Sequence, residues 1–134
     1  MNDRALTVLL VDDNEDFLEQ MRLQLEAIGH QVVVAVGQQE FERILPDAHF
    51  DIAVVDLMME HHDSGFVVAY HIKKKNPATP VILVTAVAAE TGLVFDAATR
   101  EERSWVHADV VLDKPVRVEQ LEREFKRLIK ADAS

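Results

Sequence analysis

The chain has no cysteine among its 134 residues. Disulfides, thiolate chemistry and cysteine-based zinc sites are therefore excluded. The absence is typical of proteins in a reducing compartment, and we expect a cytoplasmic location. The chain also lacks any apolar run near the roughly 20 residues that a membrane-spanning helix needs. Its first residues do not form a charged segment followed by a long apolar core, so we expect no signal peptide.

Positive charge is scarce. The chain carries 14 Lys and Arg against 24 Asp and Glu, which gives a formal net charge of −10 at pH 7. Because nucleic-acid binding depends on Lys and Arg that release counterions from phosphates, we expect no direct nucleic-acid binding. Hydrophobic residues make up 49% of the chain and charged residues 28%, which suits one core with a solvated surface. We expect a single compact domain over residues 1–134.

Apolar, β-branched runs alternate with amphipathic segments. Strands are expected at residues 6–11, 31–36, 50–55, 81–84 and 110–112. Helices are expected at residues 14–28, 38–45, 65–75 and 118–131, with a further helix near 97–106 in the poorly patterned segment 86–108. This alternation predicts a parallel sheet with helices on both faces. Five strands favour a flavodoxin-like (βα)5 doubly wound α/β fold with strand order 2-1-3-4-5.

The first of these helices has an apolar face. Its members are Phe17, Met21, Leu25 and Ile28. Their spacing predicts that this face packs against the sheet. Gly29 follows and provides the expected C-terminal stop.

Acidic side chains follow two of the expected strands. Asp12 and Asp13 follow the first strand, and Asp56 follows the third. In the order 2-1-3-4-5 these strands are neighbours, so the three carboxylates should converge at the carboxyl edge of the sheet, where ligands bind. Thr85 follows the fourth strand, and Lys114 the fifth. Three carboxylates, one hydroxyl and one ammonium group at this edge indicate an acidic Mg²⁺ pocket with a reactive Asp.

Taken together, in this order and each at a strand end, these residues resemble the receiver domain of bacterial two-component response regulators, of the CheY-like type. The resemblance covers nearly the whole chain and, at this length, is similar to the stand-alone, single-domain regulators. It implies that Asp56 accepts a phosphoryl group from a sensor histidine kinase or a phosphotransfer protein in a Mg²⁺-dependent reaction. It also implies a surface that switches its binding of a downstream protein, which the sequence does not name. The only catalysis implied is its own phosphorylation and slow dephosphorylation, without turnover of a separate substrate.

The resemblance assigns roles to the other site residues. The implied Mg²⁺ ligands are the side chains of Asp12, Asp13 and Asp56 and the backbone carbonyl of Met58. Lys114 would contact the phosphoryl oxygens, and its peptide bond to Pro115 is cis in typical receivers. Thr85 would hydrogen-bond a phosphoryl oxygen and draw its loop inward, which is the implied switch.

The segment after Asp56 departs from the usual receiver pattern. Glu60 stands where Pro is common, and Gly65 comes one residue late. Glu60 is either a solvated loop charge or a residue that alters metal affinity or orients the hydrolytic water. The adjacent His61 and His62 suggest a transition-metal site only weakly, because no further ligands are evident.

Two more departures concern the output side. Val111 occupies a position usually held by Tyr or Phe, and a valine cannot swing a large ring between buried and exposed states. Output would then run through loop movement, or through Phe95 or Trp105 as a substitute ring. The segment between Thr85 and Lys114 is long for a receiver, which predicts a remodelled output surface. The histidines outside the His61–His62 pair are interpreted as ordinary surface or half-buried residues: His30, His49, His71 and His107.

Two other functions stay open. A pseudo-receiver would bind a partner without being phosphorylated. The complete set of site residues weakens this alternative, whereas Val111 and the long segment before Lys114 keep it open. A Mg²⁺-dependent phosphatase with an Asp nucleophile, similar to haloacid-dehalogenase-like enzymes, typically has a second Asp where this chain has Met58. The chain also has no room for the substrate cap of such enzymes. The final helix, with its mixed charges, leaves a homodimer open.

Overall fold

The computed structural model describes residues 5–57, 59, 64–85 and 107–133. In these ranges the strands are β1 (Thr7–Asp12), β2 (Gln31–Val36), β3 (Ile52–Asp56), β4 (Val81–Thr85) and β5 (Val110–Asp113). The helices are α1 (Glu15–Ala27), α2 (Gly37–Ile44), α3 (Ser64–Lys75) and α4 (Val118–Ala133), with a 3₁₀ turn at Leu45–Asp47. The segment expected to hold a helix near residues 97–106 lies outside the described residues.

The five strands form one parallel sheet with the order β2-β1-β3-β4-β5. The predicted flavodoxin-like topology is therefore confirmed. β1, β3 and β4 are the central strands, and their nearly continuous apolar sequences suit burial on both faces. In the register, Val11 pairs with Val55 and Thr85 pairs with Asp113. The carboxyl ends of these strands consequently meet at one edge of the sheet.

Alternate residues of each strand contribute to two separate cores. On one face, α1 and α4 cover a cluster that includes Leu10, Val54 and Phe125. On the other face, α2 and α3 cover a cluster that includes Leu9 and Val55. Fully burying each large apolar side chain contributes roughly 1.5–3 kcal/mol. The two cores hold the central strands, and thus the residues at their carboxyl ends, in fixed positions. Within the described residues, no helix is both long and apolar enough to cross a membrane.

The predicted boundaries of the described elements lie within two residues of those observed. α2 ends at Ile44, and Pro46 lies inside the 3₁₀ turn that follows it. A proline fits the first turn of a helix, because the N–H it lacks would have no partner there. Gly29 does end α1 as predicted, with a φ of 105°.

The burial of His30 differs from its prediction. The sequence analysis placed this residue at the surface or half-buried, but only 6% of it is exposed. The backbone N–H of Leu6 donates to its Nδ1 at 3.0 Å, and its Nε2 lies 2.5 Å from Glu122 Oε1. Since Nδ1 accepts, Nε2 carries the proton and donates to the carboxylate. The ring also packs edge-on against Phe125 of α4, so His30 links the start of β1 to α4.

Two aspartates cap the amino ends of strands at the opposite edge of the sheet. Asp51 Oδ2 accepts a hydrogen bond from the backbone N–H of Thr7 at 2.8 Å. Asp109 Oδ2 accepts from the backbone N–H of Val81 at 2.7 Å and from Lys73 Nζ at 2.9 Å. These carboxylates satisfy backbone donors at the strand starts, a structural use of the same residue type that occupies the carboxyl edge.

Candidate functional site

The ends of β1 and β3 bring three carboxylates together. Asp12 and Asp56 end these neighbouring strands and are buried, with 1% and 7% of each residue exposed. Asp13 follows β1 and is exposed. One carboxylate oxygen from each residue lies within 4.8 Å of the others. The predicted convergence of Asp12, Asp13 and Asp56 is therefore observed.

Lys114 adds a positive charge to these carboxylates from the end of β5, an outer strand of the sheet. It follows β5, and its Nζ lies 3.0 Å from Asp12 Oδ2 and 3.5 Å from Asp56 Oδ1. Its backbone N–H donates to the carbonyl of Thr85 at 2.9 Å, which fixes the start of its loop. The peptide bond between Lys114 and Pro115 is cis, as the resemblance implied. One ammonium group thus bridges the ends of β1 and β3.

Thr85 ends β4 between the acidic strands and β5. Only 1% of it is exposed. Its neighbours in the sheet are β3, which carries Asp56, and β5, which leads to Lys114. The sheet order therefore places the hydroxyl-bearing residue at the same edge as the carboxylates and the ammonium group.

The first turn of α1 orients Asp12. Asn14 caps the helix, and its Oδ1 accepts from the backbone N–H of Phe17 at 3.1 Å. Asp12 Oδ1 in turn accepts from the backbone N–H of Asn14 at 2.9 Å. Such local hydrogen bonds from Asp and Asn side chains are typical of chain turns into helices. Here they leave the second oxygen of Asp12 pointing to Lys114.

Phe17 also contacts the site, which its position in the sequence does not predict. Its spacing placed it on the apolar face of α1, where Met21 and Leu25 are indeed buried. Phe17 itself is partly buried, and its ring centroid lies 5.0 Å from Lys114 Nζ. Ile28, assigned to the same face, is 49% exposed at the end of the helix. Helical spacing predicts which side a residue faces but not that an ammonium group from β5 lies there.

Gly65 lets α3 approach the end of β3 closely. Its backbone N–H donates to the carbonyl of Leu57 at 2.7 Å. A Cβ at this position would lie 2.5 Å from the Cα of Leu57 and 2.6 Å from the carbonyl oxygen of Asp56. The glycine that comes one residue late in sequence therefore still packs against the backbone of Asp56.

The electrostatics of the site favour a bound cation. Burial, followed by the charges of Asp12 and Asp13, raises the pKa of Asp56 to about 7, although Lys114 opposes the shift. Asp13 is exposed as a residue, but the partial desolvation of its carboxylate and the charge of Asp12 also raise its pKa. Burial acts to lower the pKa of Lys114, but its hydrogen bond and charge interaction with Asp12 outweigh this and raise it. Lys114 therefore stays charged and the carboxylates remain incompletely neutralised.

The donor set suits a hard divalent cation. Carboxylate oxygens are the protein ligands that Mg²⁺ prefers, and Mg²⁺ keeps several waters, so a few carboxylates suffice. A cation among Asp12, Asp13 and Asp56 would relieve the repulsion that raises the pKa of Asp56. The residues present therefore fit Mg²⁺.

Several predicted site features lie outside the described residues. They are the Met58 carbonyl, Glu60, His61, His62, Phe95 and Trp105. Val111 is described: it lies on β5, is partly buried and packs against the core under α2 and α3. The position usually held by an aromatic ring is therefore filled by a small core side chain.

The doubly wound sheet and its acidic carboxyl edge define a CheY-like signalling domain. A sequence model of the response regulator receiver domain family matches residues 8–126. The chain belongs to this family, whose members act in two-component systems, so the resemblance drawn from the site residues is confirmed.

Curated relatives extend beyond the matched region. The transcriptional regulatory protein GlrR of Escherichia coli is 35% identical over 86 residues, which is 64% of this chain and 19% of GlrR. The transcriptional regulatory protein RprY of Bacteroides fragilis is 26% identical over 129 residues, 96% of this chain and 51% of RprY. The chain thus spans between about a fifth and a half of the length of these relatives.

Solved receiver structures share the fold. A CheY-like receiver domain protein from Methanospirillum hungatei has a TM-score of 0.75 at 22% identity, covering 97% of this chain and 98% of that one. The response regulator TrrA from Thermotoga maritima, solved in complex with Mg²⁺ and BeF, has a TM-score of 0.72 at 25% identity. That match covers 91% of this chain and 97% of TrrA.

Proposed function

We propose that this receiver domain accepts a phosphoryl group on Asp56 and thereby switches a protein-binding surface. The observation that carries the proposal is the convergence of Asp12, Asp13 and Asp56 around one edge, with Lys114 Nζ 3.5 Å from Asp56 Oδ1. Phosphoryl transfer needs mainly positioning and neutralisation of charge on the transferred group, and these residues supply both. Membership of the receiver family and the TrrA complex with Mg²⁺ and BeF support the proposal.

The proposed reaction uses the ionised Asp56 carboxylate as nucleophile. One carboxylate oxygen forms a bond to the phosphorus atom of a partner's phosphohistidine, while the bond between that phosphorus and the imidazole nitrogen breaks. The imidazole leaves with the electron pair and takes up a proton, and Asp56 becomes an acyl phosphate. Burial and the charge of Asp12 raise the pKa of Asp56 to about 7, and a bound cation would lower that pKa and favour the ionised nucleophile.

Lys114 and Thr85 would recognise the product. The ammonium of Lys114 pairs with a phosphoryl oxygen as a compact charge. The hydroxyl of Thr85 donates to a second oxygen and draws the end of β4 toward the phosphoryl group. Mg²⁺, when bound by Asp12, Asp13, Asp56 and the backbone carbonyl of Met58, supplies charge that neutralises the phosphoryl oxygens. The new contact of Thr85 with the phosphoryl group is the proposed switch.

The phosphoryl donor would be a sensor histidine kinase or a phosphotransfer protein. The curated relatives GlrR and RprY are transcriptional regulators, but this chain matches only part of each. Its downstream partner is therefore proposed only as a protein that distinguishes the two states. Three predictions from the sequence remain: slow self-dephosphorylation, a single domain over residues 1–134 and a cytoplasmic location. The sequence leaves a homodimer open.

Intact-mass spectrometry after incubation with acetyl phosphate and Mg²⁺ tests the proposal. We expect one labile phosphoryl adduct in the unaltered protein and none in Asp56→Asn. Asp113→Asn is the matched control, because Asp113 ends β5 at the same edge but is exposed and lies outside the carboxylate cluster. This control should keep the adduct. No adduct, together with no stabilisation by beryllofluoride, would overturn the proposal in favour of a pseudo-receiver, and turnover of a phosphomonoester would favour a phosphatase.

A further inference from the structure

A closed ring of contacts connects the acidic pocket to the first turn of α1. Asp12 Oδ1 accepts from the backbone N–H of Asn14, and Asn14 Oδ1 accepts from the backbone N–H of Phe17. The Phe17 ring lies under Lys114 Nζ at 5.0 Å from the ring centroid. Lys114 Nζ closes the ring through Asp12 Oδ2 at 3.0 Å. The position of the ammonium group therefore depends on contacts with both Asp12 and Phe17.

These two contacts differ in what happens to them during the proposed reaction. Asp12 would turn to the metal ion and Asp56 would receive the phosphoryl group, so the carboxylate partners of Lys114 are both redirected. The face of an aromatic ring attracts an ammonium group through its quadrupole at this distance. Phe17 carries no charge and binds neither the metal nor the phosphoryl group. Its contact with Lys114 can therefore persist while the carboxylate contacts change.

We propose that Phe17 is a positioning residue. Its ring holds the Lys114 ammonium beside Asp12 and Asp56 while the partners of that ammonium change from carboxylates to phosphoryl oxygens. This role rests on the proposed phosphorylation of Asp56. Lys114 is only partly buried, with 24% of its side chain exposed, so its flexible stem needs a second support besides the ion pairs. The cap formed by Asn14 fixes the helical turn that carries the ring.

A packing role for Phe17 must be separated from the attraction between its ring and the ammonium group. Phe17 packs against the core under α1 and α4, so any change of volume affects stability. Phe17→Leu removes the ring but keeps an apolar side chain. Phe17→Tyr and Phe17→Trp keep an electron-rich face. Fluorinated phenylalanines, introduced at position 17 alone, weaken the attraction of the ring for a cation with little change of shape.

The first experiment is a double-mutant cycle on the metal-free protein. Unfolding by urea is measured for the unaltered chain, Phe17→Leu, Lys114→Met and the double variant. We expect the double variant to be less destabilised than the two single effects together would predict, by about two- to fivefold in the unfolding equilibrium constant. Each single variant already breaks the same contact, so its loss is counted twice in the sum. Additive effects would overturn the proposed contact, independently of any phosphorylation.

The second experiment measures the initial rate of phosphorylation by acetyl phosphate at saturating Mg²⁺. We expect about a fivefold lower rate for Phe17→Leu, a rate near the original for Phe17→Tyr and Phe17→Trp, and a stepwise decline as fluorines are added. An unchanged rate across the fluorinated series would overturn the role of Phe17 while leaving the proposed function intact. Absence of an adduct in the unaltered protein would overturn the proposed function itself.

Discussion

Lys114 Nζ lies closer to Asp12 than to Asp56, at 3.0 Å against 3.5 Å. The ammonium group therefore neutralises a metal-binding candidate more fully than it neutralises the proposed acceptor. Burial and the charges of Asp12 and Asp13 raise the pKa of Asp56 to about 7, because the ammonium group beside it offsets them only in part. The metal-free site is consequently poised to bind a cation and a phosphoryl group, and several measurable properties depend on that state.

Removing the charge of Asp56 should stabilise the metal-free protein above neutral pH. Between about pH 4 and 7 the folded protein keeps a proton on Asp56 that the unfolded chain has released, so stability falls as the pH rises through this window. We expect Asp56→Asn to raise the free energy of unfolding by about 1–4 kcal/mol at pH 8, and by much less at pH 4. Urea unfolding at both pH values, without Mg²⁺, measures the difference. A gain that is the same at both pH values would contradict this explanation.

Mg²⁺ should bind more tightly as the pH rises, and its binding should release a proton from Asp56. The ion competes with that proton, because a nearby cation favours the carboxylate. Titration calorimetry near pH 6 in two buffers with different ionisation enthalpies measures the released proton. Asp12→Asn should weaken binding strongly, whereas Asp51→Asn, which alters a carboxylate at the opposite edge, should not. Equal heats in both buffers would show that Asp56 is already ionised.

Lys114→Met should slow phosphorylation by acetyl phosphate about 10- to 100-fold, since it removes the cation that faces the transferred group. Lys114→Arg should recover only part of the rate, because a planar guanidinium is not a compact point charge. Initial rates at saturating Mg²⁺ test both variants. Full activity of Lys114→Met would exclude a direct contact between Lys114 and the phosphoryl group.

Gly65→Ala should damage the site as well as the fold. Its Cβ would lie 2.5–2.6 Å from backbone atoms of Leu57 and Asp56, which cannot yield as the tip of a side chain would. We expect a loss of about 1–3 kcal/mol in the free energy of unfolding and a weaker affinity for Mg²⁺. Ser64→Ala is the neighbouring control, and its effect on Mg²⁺ affinity should be small. Normal Mg²⁺ binding by Gly65→Ala would show that the helix can shift without moving Asp56.

The bond between His30 and Glu122 should matter for stability and not for phosphorylation. Glu122→Ala leaves the buried Nε2–H of His30 without its acceptor, and we expect a loss of about 1–3 kcal/mol. Glu124→Ala, which removes an ion pair with the exposed Arg127, should cost less than about 1 kcal/mol. Urea unfolding compares the two variants, and acetyl phosphate labelling should be unchanged in both. A stability loss for Glu122→Ala no larger than that for Glu124→Ala would show that the bond between His30 and Glu122 does not stabilise the contact between α4 and the start of β1.

The sequence predicted the sheet order and the convergence of Asp12, Asp13 and Asp56, because both follow from alternating strands and helices and from strand-end residues. It did not predict the burial of His30, whose partner Glu122 lies 92 positions away and has no local pattern. It also classed Phe17 as a packing residue only. Periodicity is local, whereas these contacts depend on which elements meet in space.

The two edges of the sheet use aspartate in opposite ways. Asp51 and Asp109 are engaged by backbone N–H groups at the amino ends of strands, whereas Asp12 and Asp56 face one another across a shared lysine. The domain is therefore directional: the aspartates described at one edge are paired with backbone donors, and those at the other hold charge that Lys114 balances only in part. Strand direction thus gives the sheet a polarity: the amino edge contributes fold stability, and the carboxyl edge keeps charge available to a ligand.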